Sequence, residues 1–257
     1  MIALIDYRAG NLTSVKKALA TIGADVVVPG TPAEIADASG VIVPGVGHFG
    51  ATRALDAAWV DAILARVGEG RPLLGICLGM HWLFEGSEEA PDVPGLGLLS
   101  GTCYRLGTKV RPKPDTTAEM VPLTPGTAEG SGYSHGSGPD ADDDRGSVRL
   151  QPDGDPGSVR LQPDRDPRVK VPHVGWNSLA VARGEASILD GVADGAQVYF
   201  THSYVAPVTG DTAAVTEHGE PFAAVVQRGY VAGVQFHPEK SGDVGLRMLR
   251  NFVALAG

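Results

Sequence analysis

A chain of 257 residues can bury one substantial core, and 43% hydrophobic with 20% charged residues is the composition of an ordinary globular protein. A formal charge of -9 argues against a general nucleic-acid binder, which would present a basic face. No run reaches the roughly 18 apolar residues of a membrane span, and two cysteines, Cys77 and Cys103, are too few for a disulfide framework, so the expectation is a cytoplasmic protein with no membrane or nucleic-acid partner.

The N-terminal "MIALIDYRAGN" carries no basic leader and reads as a first strand over "IALID". "NLTSVKKALATIG" places Leu12, Val15, Leu19 and Ile22 on one helical face, with Gly23 as its stop. "ADVVVP" and "GVIVPGVG" are short apolar strands, "ATRALDAAWVDAILARVGEG" has helical period, and "PLLGIC" is the next strand. This alternation predicts a mostly parallel sheet with helices on its faces. From "VPHVGWNSLAV" onward the strands crowd together ("AQVYFTHSYVA", "TAAVTEH", "FAAVVQRG", "YVAGVQFHP"), and links as short as "QRGY" predict antiparallel pairing. A C-terminal helix follows, with Ser241 as N-cap and Val244, Met248, Leu249, Phe252 and Leu255 on its apolar face.

Between these halves, from about 107 to 168, the chain turns rich in Pro, Gly, Asp, Ser and Thr. It holds a direct repeat, "GSVRLQPDGDP" then "GSVRLQPDRDP". Units of this length with two prolines each cannot bury a shared face, so the segment reads as an inserted, flexible low-complexity loop. Its His135 and the run Asp142, Asp143 and Asp144 read as solvated charge in preference to a metal site.

Chemistry concentrates at three places. In "GICLGMH" a strand runs into a helix through a Gly-X-Cys-X-Gly turn, which lifts Cys77 toward the sheet's carboxyl edge. The helix dipole there favours thiolate, and the Leu78 N–H can face an oxyanion. Taken alone, this turn fits a buried structural cysteine as well as a nucleophile. "GVQFHPEKS" ends a strand in His237-Pro238-Glu239, and in extended chain residues two apart share a side. Glu239 can then orient the His237 ring while its other nitrogen serves the thiol. Cys, His and carboxylate together form the set that splits an amide through a thioester. The third place, "VPGVGHFG", ends another strand at the same edge, where the amides of Val46 and Gly47 can complete an oxyanion hole with Leu78. Its spacing alone leaves a phosphate-cradling role open.

Together, "DYRAGNLTSVKKAL", "PGVGHFG", "GICLGMH", "LFEGSEE", "PGLGLL", "VPHVGWN", "THSYV" and "GVQFHPEKS" resemble the class I (triad-type) glutamine amidotransferases, and closely the glutaminase subunits of imidazole glycerol phosphate synthases. The resemblance covers residues 1–106 and 169–257. It implies an α/β, flavodoxin-like single domain over 1–257, interrupted by the insert, with a central mixed and mostly parallel sheet. It further implies that Cys77 attacks glutamine, His237 relays the proton and Glu239 orients it, with no cofactor and no metal. Ammonia would pass to a cyclase barrel subunit in a heterodimer, giving imidazole glycerol phosphate for histidine synthesis and an aminoimidazole carboxamide ribotide. On the same grounds Gly47, His81, His202, Ser203 and Tyr204 would hold glutamine, and Asn11, Trp176, Asn177 and Lys240 would face the cyclase. One departure stands out: His81 occupies the place of the family's usual Gln, where an imidazole keeps a hydrogen-bond donor of different reach. A stand-alone γ-glutamyl-type cysteine hydrolase, or a non-catalytic interaction subunit on the same fold, are the competing readings.

Overall fold

The computed structural model describes residues 1–108 and 169–257. The elements are β1 (Ile2–Leu4), α1 (Leu12–Thr21), β2 (Val26–Val27), β3 (Gly40–Val43), α2 (Ala57–Gly68), β4 (Leu73–Ile76), α3 (Leu78–Leu83), β5 (Gly86–Ser87) and β6 (Thr102–Arg105). After the undescribed segment come β7 (His173–Ser178), β8 (Ala180–Val181), β9 (Gln197–His202), β10 (Tyr204–Val205), β11 (Thr212–His218), β12 (Glu220–Arg228), β13 (Val231–Val234) and α4 (Gly242–Leu255).

Eight strands form the main sheet in the order β2-β1-β3-β4-β13-β12-β11-β8. From β2 through β13 all neighbours are parallel, and from β13 to β8 all are antiparallel. The expected mixed sheet is therefore present, and β13 joins its two regimes. It pairs antiparallel with β12 through the Gly229-Tyr230 turn and parallel with β4 on its other side. Two small sheets, β10-β6-β5 and the antiparallel ribbon β7-β9, stand beside it.

The period of two along the central strands feeds two cores. Ile2, Leu4, Ile42, Leu74 and Ile76 point to one face, where α1 and α4 contribute Val15, Leu19, Met248, Leu249 and Phe252. Ala3, Ile5, Val41, Val43 and Leu73 point to the other, against Ile63 of α2 and Leu78, Met80 and Trp82 of α3. Each fully buried Leu, Ile or Phe contributes about 1.5–3 kcal/mol, so the sheet is held from both sides.

Three local expectations are refined. Gly23, at φ 75°, ends α1 in a Schellman arrangement: Ala24 N–H donates to Leu19 O and Gly23 N–H to Ala20 O. The expected helix over residues 51–70 is split into a 3₁₀ segment, Phe49–Ala54, and α2, because the Asp56 carboxylate caps α2 by accepting from Trp59 N–H. Ser241 precedes α4 but makes no capping bond; its hydroxyl donates to His237 O at 2.7 Å and accepts from Tyr199 N–H at 3.0 Å, tying β9 to the His237 turn. The insert lies outside the described residues except for Gly107 and Thr108, and so do His135 and Asp142, Asp143 and Asp144. No helix among the described residues is long and apolar enough to cross a membrane.

Close backbone packing underlies the turn after β4. A Cβ on Gly79 would lie 1.8 Å from Val43 O, and one on Gly75 would lie 2.5 Å from Gly79 O. Both positions need glycine for space. Gly79→Ala is expected to destabilise the chain by at least about 3 kcal/mol, because the obstacle is backbone that cannot rotate away. Denaturant unfolding of the variant checks this, and near-normal stability would contradict the packing described.

Candidate active site

β4 ends in the middle of the sheet, flanked by β3 and β13 with all three running parallel. Ligands in such sheets gather outside the carboxyl ends of the strands, and Cys77 is the first residue past that edge. Its backbone sits at φ 52° and ψ −105°, a conformation non-glycine residues rarely adopt. Cys77 N–H donates to Val234 O at 2.7 Å, so the turn is fastened to β13. The strained turn aims the side chain out of the sheet into a cavity of about 330 Å³.

Val234 is in register with Ile76, so the residues following β13 run beside Cys77. His237 lies there, its ring almost fully buried, with Nδ1 3.0 Å from Glu239 Oε1. The Glu239 side chain is wholly shielded from solvent. A carboxylate at Nδ1 fixes that proton and leaves Nε2 to interact with the Cys77 sulfur, with no other partner among the described residues. Burial works against charge on this ring. The Cys77 sulfur and the Glu239 carboxylate outweigh it and raise the His237 pKa to about 10. An imidazolium formed by accepting the thiol proton is thus held by charge on both sides.

Residues from several segments line the cavity: Val46, Gly47, Cys77, Leu78 and His81 from the first half and His202, Ser203 and Tyr204 from the second. All the residues assigned from sequence to the oxyanion hole and to glutamine therefore line one cavity with Cys77, but their hydrogen bonds differ from those expected. Leu78 N–H opens α3 and has no intrahelical acceptor. Val46 N–H donates to Ala9 O at 2.7 Å, so it is not turned toward an oxyanion in this conformation. Gly47 follows at φ 97°. The carbonyls of Ser203 and Tyr204 accept from Leu106 N–H and the His202 Nδ1–H, leaving the Ser203 hydroxyl unclaimed among the described residues. His81 lines the cavity, but its Nε2 lies 2.7 Å from Gln235 Oε1, so the donor expected for glutamine is given to a neighbour.

The expected interface residues separate. β7 alternates, with Val174 and Trp176 exposed and His173 buried. Trp176 packs edge-on to Tyr199, and Lys240 Nζ lies 5.9 Å from the same ring, so these three form one outward cluster. Asn177 turns the other way: its Nδ2 donates to Glu217 O at 3.0 Å and reaches His173 Nε2 at 3.3 Å. Strand alternation puts Trp176 and Asn177 on opposite faces of β7. Asn11 precedes α1 and makes no side-chain capping bond.

Sequence reasoning missed four residues at or beside the site. Glu89 lines the cavity, with Oε2 accepting from Phe49 N–H at 2.7 Å. Gln235 is fully buried beside Cys77. The Tyr7 hydroxyl is buried without a partner among the described residues, and burial first, then the Cys77 sulfur, holds its pKa well above the ordinary phenol value. His173 donates from Nδ1 to His202 Nε2 at 3.1 Å, which the His202 Nδ1 bond to Tyr204 O requires of neutral rings.

A family model for class-I glutamine amidotransferases matches residues 3–256. The chain belongs to the class-I glutamine amidotransferases. Among curated relatives of this amidotransferase, an imidazole glycerol phosphate synthase subunit HisH from Bacillus cytotoxicus is 37% identical over 98% of this chain and 93% of the relative. The subunit of the same name from Halobacterium salinarum is 38% identical over 98% and 92%. The fold recurs in a crystal structure of a glutamine amidotransferase, with TM-score 0.59 and 19% identity over both full chains. It recurs also in PurLQS from Thermotoga maritima, with TM-score 0.62 and 14% identity over 98% of this chain and 97% of that one.

Burial depresses the pKa values of His81 and His173 to about 4 and pushes that of His202 well down, so all three rings are neutral in the folded amidotransferase. A depressed histidine contributes stability above its unfolded value near 6.5, and that contribution is lost as pH falls toward the folded value. His237 has the opposite sign, its contribution being lost as pH rises from about 6.5 toward 10. Stability is therefore expected to peak near neutrality and to fall as pH drops below about 6.5 and His81, His173 and His202 take up protons on unfolding. Denaturant midpoints between pH 7.5 and 5 check this; a flat acid limb would contradict it.

Proposed function

We propose that this amidotransferase is the glutaminase subunit of an imidazole glycerol phosphate synthase, a single amidotransferase domain over 1–257 interrupted at about 107–168, working in the cytoplasm. The observation that carries the chemistry is the Cys77 turn set beside a buried His237 whose Nδ1 is held by Glu239. The near-full-length likeness to HisH subunits supports the choice of pathway, histidine biosynthesis, and of a cyclase barrel subunit as heterodimer partner.

In this reading His237 Nε2 holds the Cys77 proton as sulfur attacks the side-chain carbonyl of glutamine. The carbonyl oxygen becomes an oxyanion facing Leu78 N–H. His237 then returns the proton to the leaving nitrogen, and ammonia departs to the cyclase. The γ-glutamyl thioester remains on Cys77. Water, deprotonated by His237, releases glutamate and restores the thiol. Glu239 holds the ring's orientation through both transfers and stabilises the imidazolium. Glu89 is the acidic side chain among the cavity-lining residues, and its charge suits the α-ammonium of glutamine. The bond from Val46 N–H to Ala9 O withholds one oxyanion donor, so the subunit alone is expected to turn over slowly. Docking of the cyclase against the Trp176, Tyr199 and Lys240 cluster would favour the competent arrangement.

Glutamate release, measured with and without the cyclase subunit and its nucleotide substrate, tests the assignment. The subunit alone should be slow and the complex fast. Cys77→Ala should lower kcat in the complex by at least about 10³-fold, as removal of a nucleophile does elsewhere. Full activity in that variant would overturn the triad. Fast turnover by the isolated chain, indifferent to the partner, would instead favour a free hydrolase.

A further inference from the structure

Gln235 lies between β13 and His237 and is wholly buried, its backbone N–H held by Ala224 O at 2.9 Å. Because Val234 pairs with Ile76, the next residue on each strand, Gln235 and Cys77, come side by side at the carboxyl edge. The Gln235 Nε2 group donates toward Cys77 Sγ at 3.7 Å, and Oε1 faces His81 Nε2 at 2.7 Å. The proton relay described above uses neither contact.

A buried amide has two orientations related by a half-turn, and only one presents N–H to the sulfur. The neighbour at its far end decides which. An Nε2–H on His81 requires the amide oxygen, and so sends the NH₂ group toward Cys77. Burial depresses the His81 pKa to about 4 against the opposing effect of the Gln235 bond, so the ring is neutral and carries a single proton. When Cys77 gives its proton to His237, negative charge appears on a sulfur shielded from water, where a hydrogen bond to a charged acceptor is stronger than one to a neutral acceptor. The other titratable groups near this pair are Tyr7 and His237 around the sulfur, and His202 and Cys103 around His81.

We propose that Gln235 is a further catalytic residue, whose Nε2–H steadies the Cys77 thiolate, and that His81 is a positioning residue that fixes the orientation of the Gln235 amide. The proposal rests on Cys77 being the nucleophile and adds a donor that the family-type triad does not include. It also gives His81, set where this family usually has Gln, a function that faces the protein. On acylation the sulfur loses its charge and the bond weakens; on hydrolysis the thiolate re-forms against the same donor.

The test is the rate of Cys77 alkylation by iodoacetamide against pH, followed by peptide mapping in the full chain, which needs no glutamine and no partner. Gln235→Leu should displace the profile to higher pH by about one unit, slowing alkylation about tenfold on its rising limb. Gln235→Glu, a near-isostere that sets a carboxylate beside the sulfur, should displace it at least as far. His81→Leu should displace it in the same direction, and His81→Gln, which keeps an amide donor, should lie closer to the unsubstituted chain than His81→Leu does. In the complex, Gln235→Leu should lower kcat about tenfold with the KM for glutamine within about twofold. Unchanged profiles for both Gln235 variants, or for His81→Leu if Gln235→Leu does not fold, would overturn the proposal even if activity fell. Failure of the triad itself would show separately, as glutaminase activity surviving Cys77→Ala.

Discussion

The active site depends on one strand pairing. β13 leaves an antiparallel hairpin with β12 and enters parallel register with β4, Val234 opposite Ile76. That register sets Cys77, from the first half of the chain, beside Gln235 and His237 from the last quarter. A shift by one residue would turn His237 to the opposite face, since side chains alternate along a strand. The bond from Cys77 N–H to Val234 O fastens the same register at the turn itself.

Around that pairing, local choices that would ordinarily weaken a protein are concentrated. Cys77 takes a positive-φ backbone, Gly75 and Gly79 remove side chains where backbone segments meet closely, and polar rings fill the space where the second-half ribbon meets the cavity. Strain of this kind persists only where the surroundings over-determine it, and here both faces of the sheet are covered by apolar helices. Two of the buried histidines, His173 and His202, are satisfied in a directional chain from Asn177 to Tyr204 O, so both rings are neutral and their tautomers fixed. This chain runs from the outward ribbon β7 to the segment that lines the cavity.

Much of this was legible in the sequence because the signals are local. The Gly-X-Cys-X-Gly turn and the His-Pro-Glu segment each announce their geometry within a few residues, and the period change between halves announces a mixed sheet. What was not legible depends on pairing across the chain. Nothing around "YVAGVQFHP" says that one side of β13 is parallel, so Gln235 passed as a strand residue. A period-two reading back from His237 would have placed it on the His237 side of the strand. The His81 donor was aimed at substrate because its partner, Gln235, is distant in sequence. Asn177 was grouped with Trp176 although strand alternation separates them, and Ser241 was given a cap although its hydroxyl closes the His237 turn. Glu89 gave no signal by spacing at all.

The central claim is that this register makes Cys77 the residue that becomes acylated, with His237 taking its proton. Rapid quenching of the complex during turnover of ¹³C-labelled glutamine, followed by peptide mass spectrometry, tests it directly. The account predicts a labelled γ-glutamyl adduct on the peptide containing Cys77, and none on the peptide containing Cys103. Turnover with no adduct on Cys77, or an adduct on another residue, would contradict it.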